Sequence, residues 1–231
     1  MQYAIYNALV GCASPLARTW LAFSRRHGAL RGRFSPLPPA GMQGAVWVHA
    51  CSVGEVNTVR AFIPALQRRF PETPVLLTTS TISGRDLARK TLGDIPVAWL
   101  PFDILSAVRS FVRQLRPRVL VLVETEIWPN LVRETRGTGS PVVVVNARLS
   151  PRQFPAYRRF RWFFRPAFSL LSAVGAQNAV YADRFAALGT APELVQVTGN
   201  MKFDAVRTEV DSRARLELRI GCGYGAETPV L

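Results

Sequence analysis

The stretch Ala45-Val-Trp-Val-His-Ala-Cys-Ser-Val-Gly-Glu-Val-Asn57 decides the fold. Its apolar run, Ala45–Ala50, reads as a buried strand, and an amphipathic helix begins near Gly54 directly after it. Such junctions are where ligands bind in open α/β sheets. Gly54 is expected to let the backbone turn tightly, and the helix N-terminus favours negative charge, on a bound anion or on Glu55 itself. A carboxylate held there and facing a cleft is a natural general base for a hydroxyl. The same residues also spell a capping box, with Ser52 capping the helix and Glu55 reaching back. The sequence supports both readings.

The strand-then-helix unit repeats along the chain. Strands are expected at Ala45–Ala50, Pro74–Thr79, Pro96–Leu100, Arg118–Val123, Pro141–Asn146, Ser172–Ala176 and Leu194–Thr198. Several are continuous apolar runs, the signature of strands buried on both faces. Helical patterns lie between them at Glu55–Arg69, Ser83–Thr91, Ile104–Leu115, Trp128–Arg136 and Asn178–Leu188. This alternation predicts an α/β fold with a doubly wound, mostly parallel, Rossmann-like sheet over residues 45–204.

Three segments break the rhythm. Residues 1–27 are mostly apolar between Tyr3 and Phe23, carry Arg18 inside the run and are followed by Arg25, Arg26, Arg31 and Arg33. A bilayer span needs about 20 apolar residues, so a shallow membrane-associated helix is expected rather than a span, with the body kept cytoplasmic by the basic residues that follow. Residues 28–44, rich in Pro and Gly, read as a linker. Ser150–Leu171 interleaves Arg152, Arg158, Arg159, Arg161 and Arg165 with seven aromatic residues from Phe154 to Phe168. That pattern suits nucleic-acid stacking, a lipid headgroup layer, or a helix with an aromatic core face. Residues 205–231 hold a helical pattern, Glu209–Ile220, and a strand-like Thr228-Pro-Val-Leu231, expected to open a second domain that is otherwise truncated.

Composition bounds the function. Basic residues number 29 against 15 acidic, a net charge of +14, which favours polyanionic partners: nucleic acid, an acidic membrane surface or phosphorylated substrates. Cys12, Cys51 and Cys222 are widely spaced, matching neither a disulfide framework nor a zinc motif. The first strand–helix turn lacks G-x-G-x-x-G, which argues against a dinucleotide-dependent oxidoreductase.

Polar groups recur where the strands end: Ser52, Gly54 and Glu55; Thr79 and Ser80; Asp103; Glu124 and Glu126; Asn146 and Arg148. In a parallel sheet these loops open onto one edge and converge on one crevice. Glu124 and Glu126 could hold a divalent cation through a phosphate, but no third acid lies near them in sequence. A role in orienting substrate or the basic groups around it fits them better. Arg148 and Lys202 are candidates for pairing with substrate phosphate or carboxylate.

Five motifs then occur in order: Trp47-Val-His-Ala-Cys-Ser-Val-Gly-Glu55, Leu100-Pro-Phe-Asp103, Glu124-Thr-Glu-Ile-Trp-Pro-Asn-Leu131, Asn146-Ala-Arg-Leu-Ser150 and Gly199-Asn-Met-Lys-Phe-Asp204. Together they resemble the N-terminal half of the 3-deoxy-D-manno-octulosonic acid (Kdo) transferases of lipopolysaccharide synthesis. The resemblance implies the N-terminal domain of a two-domain GT-B glycosyltransferase on the cytoplasmic face of the inner membrane. Such an enzyme moves Kdo from CMP-Kdo to a lipid A precursor (lipid IVA) with inversion. The glutamate matching Glu55 is the family's proposed base, and the substrate-binding expectation extends to Ser52, Gly54, Thr79, Ser80, Asp103, Glu124, Glu126, Arg148 and Lys202. CMP leaves as a phosphate monoester, so no metal is obligatory, and no cofactor or nucleic-acid partner is expected. With the donor domain missing, the chain alone is expected to be inactive. A noncatalytic membrane-associated remnant and a GT-B enzyme with another nucleotide-sugar donor are the competing readings.

Overall fold

The computed structural model describes residues 2–24, 26–205 and 212–224. Seven strands, β1 Val46–His49, β2 Val75–Thr79, β3 Val97–Trp99, β4 Val119–Val123, β5 Val142–Ala147, β6 Ala173–Ala176 and β7 Val195–Val197, form one sheet in the order β3-β2-β1-β4-β5-β6-β7. Every adjacent pair is parallel. Each strand lies within one residue of its expected ends. Pro74, Pro96 and Pro141 stand just outside the strands, where their carbonyls accept from Val46, Leu77 and Leu120 without a proline N–H being needed.

Eight helices of this core and its flanks follow in chain order after α1 (Gln2–Phe23): α2 Val53–Arg69, α3 Ile82–Thr91, α4 Leu105–Leu115, α5 Pro129–Gly137, α6 Phe154–Arg159, α7 Arg161–Phe168, α8 Ala179–Leu188 and α9 Ser212–Gly221. Alternate strand residues feed two cores. Trp47, Leu76, Leu120, Leu122 and Val144 pack with Phe111, Leu131, Phe168 and Phe185 on the face covered by α4, α5, α7 and α8. Val46, Val48, Leu77, Val121 and Val123 pack with Val56, Val59, Ile63 and Ala88 of α2 and α3 on the other. Burial on both faces is why these strands are continuous apolar runs rather than alternating ones. The expected helix Glu209–Ile220 is seen as α9 from Ser212, and Thr228–Leu231 lies outside the described residues.

Helix α1 keeps only Leu21 buried and leaves Ile5, Leu9, Leu16, Trp20 and Phe23 exposed. No helix among the described residues is long and apolar enough to cross a membrane. Its first turns are tied to the body: Tyr6 Oη donates to Asp103 at 2.9 Å, Asn130 Nδ2 donates to Asn7 at 2.7 Å, and the Tyr3 and Tyr6 rings meet Phe163 edge-on. The segment read as a linker begins instead with a docked 3-10 helix, Gly28–Phe34. Phe34 is buried against Phe102, and a side chain on Gly32 would strike the Trp99 ring. The Arg-aromatic stretch divides its faces: Phe168 fills the core and Phe163 receives α1, while Phe160 and Trp162 stay exposed.

Candidate active site

β1 leads to β2 and β3 on one side and β4 leads to β5, β6 and β7 on the other, so winding reverses between β1 and β4. Beyond the carboxyl ends of two such strands the helices diverge and a crevice opens. The Cys51–Glu55 turn and the Glu124–Glu126 exit flank it.

The floor of the crevice is a buried network. Trp47 Nε1 donates to Thr78 Oγ1 at 2.8 Å, and His49 Nδ1 lies 3.0 Å from the Thr78 carbonyl. The same Nδ1 lies 3.1 Å from Thr78 Oγ1. His49 Nε2 is left buried with no hydrogen-bond partner, 3.6 Å from Glu126 Oε2, an ion-pair distance too long for a hydrogen bond. Glu126 also accepts from Trp128 Nε1 at 3.0 Å. Burial alone would raise its carboxyl, but His49, Trp128 and Arg33 more than offset that and hold it below its ordinary value.

Glu55 occupies the first turn of α2 and is 9% exposed. Cys51 N–H donates to its Oε2 at 2.7 Å, and Ser52 Oγ approaches Oε1 at 3.4 Å. This is not the capping box the sequence spells: Ser52 makes no side-chain cap bond, and Glu55 reaches the residue before the cap. Burial, opposed by the Cys51 bond and reinforced by the charges of Glu126 and Glu124, pushes the Glu55 carboxyl up to about 8. The same crowding, burial first and then Glu126 and Glu55, pushes the Cys51 thiol up to about 12.

Gly54 does not make the turn expected of it. It is helical within α2, without positive φ, and a Cβ there would meet only Ser52 Oγ at 4.0 Å. The space that a side chain on Gly54 would take is open. The tight approach belongs to Gly84 of α3, where a Cβ would lie 2.8 Å from Thr81 Oγ1 and 3.2 Å from the Cys51 carbonyl.

Thr79 and Ser80 are both buried with their hydroxyl oxygens unpartnered, and Ser80 N–H donates to the Cys51 carbonyl at 3.1 Å. Glu124 leaves β4 with φ 60°, a left-handed conformation costly for a side-chain residue and concentrated at functional sites. Asn146 does the same at the end of β5, φ 53°, and its Oδ1 accepts from Met201 N–H at 3.1 Å, drawing the 3-10 turn that carries Lys202 to this edge. Arg148 and Lys202 present exposed side chains. Asp103 is set apart. Its oxygens accept from Asn130 N–H, Leu131 N–H and Tyr6 Oη at 2.9–3.0 Å, so it caps α5 from another loop and binds α1 to the body. Those three donors occupy its buried carboxylate.

Arg33 is invisible in the sequence, inside the segment read as linker. Its Nε donates to the Leu100 carbonyl at 2.9 Å and Nη1 to the Ser80 carbonyl at 3.2 Å, and the guanidinium stacks 4.3 Å from the Phe102 ring centroid. Burial lowers it to about 10, with Cys51 and Glu126 opposing, so it is a cation that faces the acidic cluster.

Fold and site together define a doubly wound α/β domain with a buried glutamate, Glu55, at its switch point. The family of 3-deoxy-D-manno-octulosonic-acid transferases (kdotransferases) matches residues 23–205, and the chain belongs to it. A 3-deoxy-D-manno-octulosonic acid transferase of Haemophilus influenzae is 33% identical over 200 residues, covering 86% of this chain and 45% of the relative. One from Bordetella pertussis is 32% identical, covering 99% of this chain and 54% of the relative. The chain thus spans about half the length of these relatives. Among solved structures, the Staphylococcus aureus MnaA–UDP complex matches with TM-score 0.55 at 16% identity, over 74% of this chain and 48% of that one. UDP-GlcNAc 2-epimerase from Neisseria meningitidis matches with TM-score 0.54 at 16% identity, over 76% and 51%. At that identity the likeness is one of fold.

Proposed function

We propose that this chain is the acceptor-binding, base-bearing half of a GT-B enzyme that transfers Kdo from CMP-Kdo to a lipid A precursor at the cytoplasmic face of the inner membrane. One observation carries the reading. The Glu55 carboxyl stands at the switch point, held by the Cys51 N–H and close to Glu126, whose charge adds to burial in raising its proton affinity. The ionised Glu55 takes the proton of the acceptor hydroxyl as that oxygen bonds to the anomeric carbon. The bond from that carbon to the CMP phosphate breaks on the opposite face, which inverts the centre. Glu126 and Glu124 keep Glu55 basic, and the Cys51 N–H holds its orientation.

The open space beside Gly54 leaves room for a sugar at the turn that carries Glu55. Arg148 and Lys202, exposed on the rim, meet the anionic groups of donor or acceptor. The exposed apolar residues of α1, continued by Trp162, lie on the lipid surface with arginines beside them, which brings the crevice to an acylated, phosphorylated acceptor.

Radiolabelled transfer from CMP-Kdo to lipid IVA by the full-length protein tests the assignment. Glu55→Gln abolishes transfer while the fold persists; near-normal turnover in that variant rejects Glu55 as the base.

A further inference from the structure

We propose that His49 is a positioning residue for the reaction: from beneath the crevice it clamps one oxygen of the Glu126 carboxylate and leaves the other for a substrate hydroxyl. His49 ends β1 fully buried, in register with Thr78 of β2 and Leu122 of β4. Its Nδ1 is engaged on the sheet side, 3.0 Å from the Thr78 carbonyl and 3.1 Å from Thr78 Oγ1, a hydroxyl that also accepts from Trp47 Nε1 at 2.8 Å. The ring is thereby held at one end. Its other end, Nε2, is buried without a hydrogen-bond partner and lies 3.6 Å from Glu126 Oε2. An orphaned buried ring nitrogen is costly, and the carboxylate beside it is the group that can answer it.

Glu126 reaches that position because its loop turns as it leaves β4. Glu124 has φ 60°, and Ile127 N–H donates to the Thr125 carbonyl at 2.8 Å. Oε2 of Glu126 then meets both His49 Nε2 and Trp128 Nε1, the latter at 3.0 Å. Oε1 meets no donor among the described residues, and the side chain is 21% exposed, so that oxygen is the one left for a ligand. The other groups whose charge bears on this carboxylate are Arg33, Cys51 and Glu55, with the Tyr157 hydroxyl on the α6 side. Glu55 and Glu126 bring an oxygen each to within 4.8 Å of one another. A substrate that offers one hydroxyl to Glu55 can therefore offer a neighbouring one to Glu126. The 3.6 Å separation is that of an ion pair, and hydrogen bonds in unliganded active sites are often long and tighten when substrate arrives. His49 touches no substrate and acts through Glu126. The clamp itself is independent of the reaction; its kinetic consequence rests on the transfer proposed above.

The test has a spectroscopic arm and a kinetic arm. The chain has two histidines, His27 and His49, so His27→Gln assigns their ring-nitrogen NMR signals. Glu126→Gln is expected to move the His49 Nε2 resonance and leave those of His27 in place. An unmoved His49 signal overturns the proposal, and that result needs no substitution in the buried floor. In the full-length protein, His49→Gln is expected to lower kcat/KM for Kdo transfer by up to about 100-fold, the cost of displacing an active-site group by roughly 1 Å. In a Glu126→Gln background the same substitution costs nothing further, because the clamped carboxylate is already gone. No loss in the parent, or equal losses in both backgrounds, overturns the proposal, since a purely structural histidine weakens both alike. Inactivity of the unsubstituted full-length protein rejects the transfer reading instead, and the His49 resonance still decides the clamp.

Discussion

Replacing Glu55 with glutamine is expected to make the protein more stable as it makes it inactive. The carboxyl is raised from an ordinary 4.5 to about 8, chiefly by burial. At ~1.4 kcal/mol per tenfold, the folded state therefore prefers the protonated form by roughly 5 kcal/mol. The sign follows from linkage: a group whose folded value is raised stabilises the fold fully below its unfolded value and loses that contribution as pH rises to the folded value. Glutamine resembles the protonated acid and keeps an oxygen to accept the Cys51 N–H. Its advantage is then about 1 kcal/mol near pH 5, about 3 near pH 7 and about 4 near pH 8, as ceilings before local relaxation. Urea unfolding of both proteins near pH 5 and pH 8 measures the gap. A Glu55→Gln protein no more stable than the parent at the higher pH, or a gap that shrinks with rising pH, would refute the reasoning.

Asp103→Ala removes the acceptor for Asn130 N–H, Leu131 N–H and Tyr6 Oη, and is expected to destabilise by roughly 1–3 kcal/mol. Thermal denaturation reads the loss, and limited proteolysis reads the release of α1. Gly84→Ala places a Cβ 2.8 Å from Thr81 Oγ1 and 3.2 Å from the Cys51 carbonyl, pushing α3 from the Glu55 turn. It is expected to cost about 1–3 kcal/mol by overpacking and to lower transfer, measured by denaturant midpoint and by turnover. Trp20→Ser with Phe23→Ser removes two exposed apolar side chains, and is expected to weaken sedimentation with anionic phospholipid vesicles by about tenfold or more. Unchanged vesicle binding would move the lipid contact elsewhere.

The sheet was legible because several strands, β1, β2 and β4 among them, are apolar runs, and burial on both faces leaves no room for another pattern there. The convergence of Glu55, Glu124 and Glu126 was legible for the same reason, since parallel strands send their exits to one edge. What was hidden depends on contacts between distant segments. Arg33 sits in a glycine- and proline-rich stretch that reads as connector, and only its docking on Leu100 and Ser80 makes it part of the site. Asp103 reads like a binding-loop acid, yet its place beneath α5 and beside Tyr6 commits it to capping. Gly54 was expected at the tight place that Gly84 occupies, because local sequence reveals a glycine but not the atom opposite it. The Arg-aromatic stretch had three readings, and its inward residues took the core one while Phe160 and Trp162 did not.

The pH dependence of kcat/KM for Kdo transfer by the full-length protein tests the role of Glu55 most directly. A base with its pKa near 8 gives a rate that climbs roughly tenfold per pH unit below that value and levels above it. Glu126→Gln, which removes a charge facing Glu55, moves that limb to lower pH. A limb near the ordinary carboxylate value of 4.5, or one that Glu126→Gln leaves in place, would contradict it.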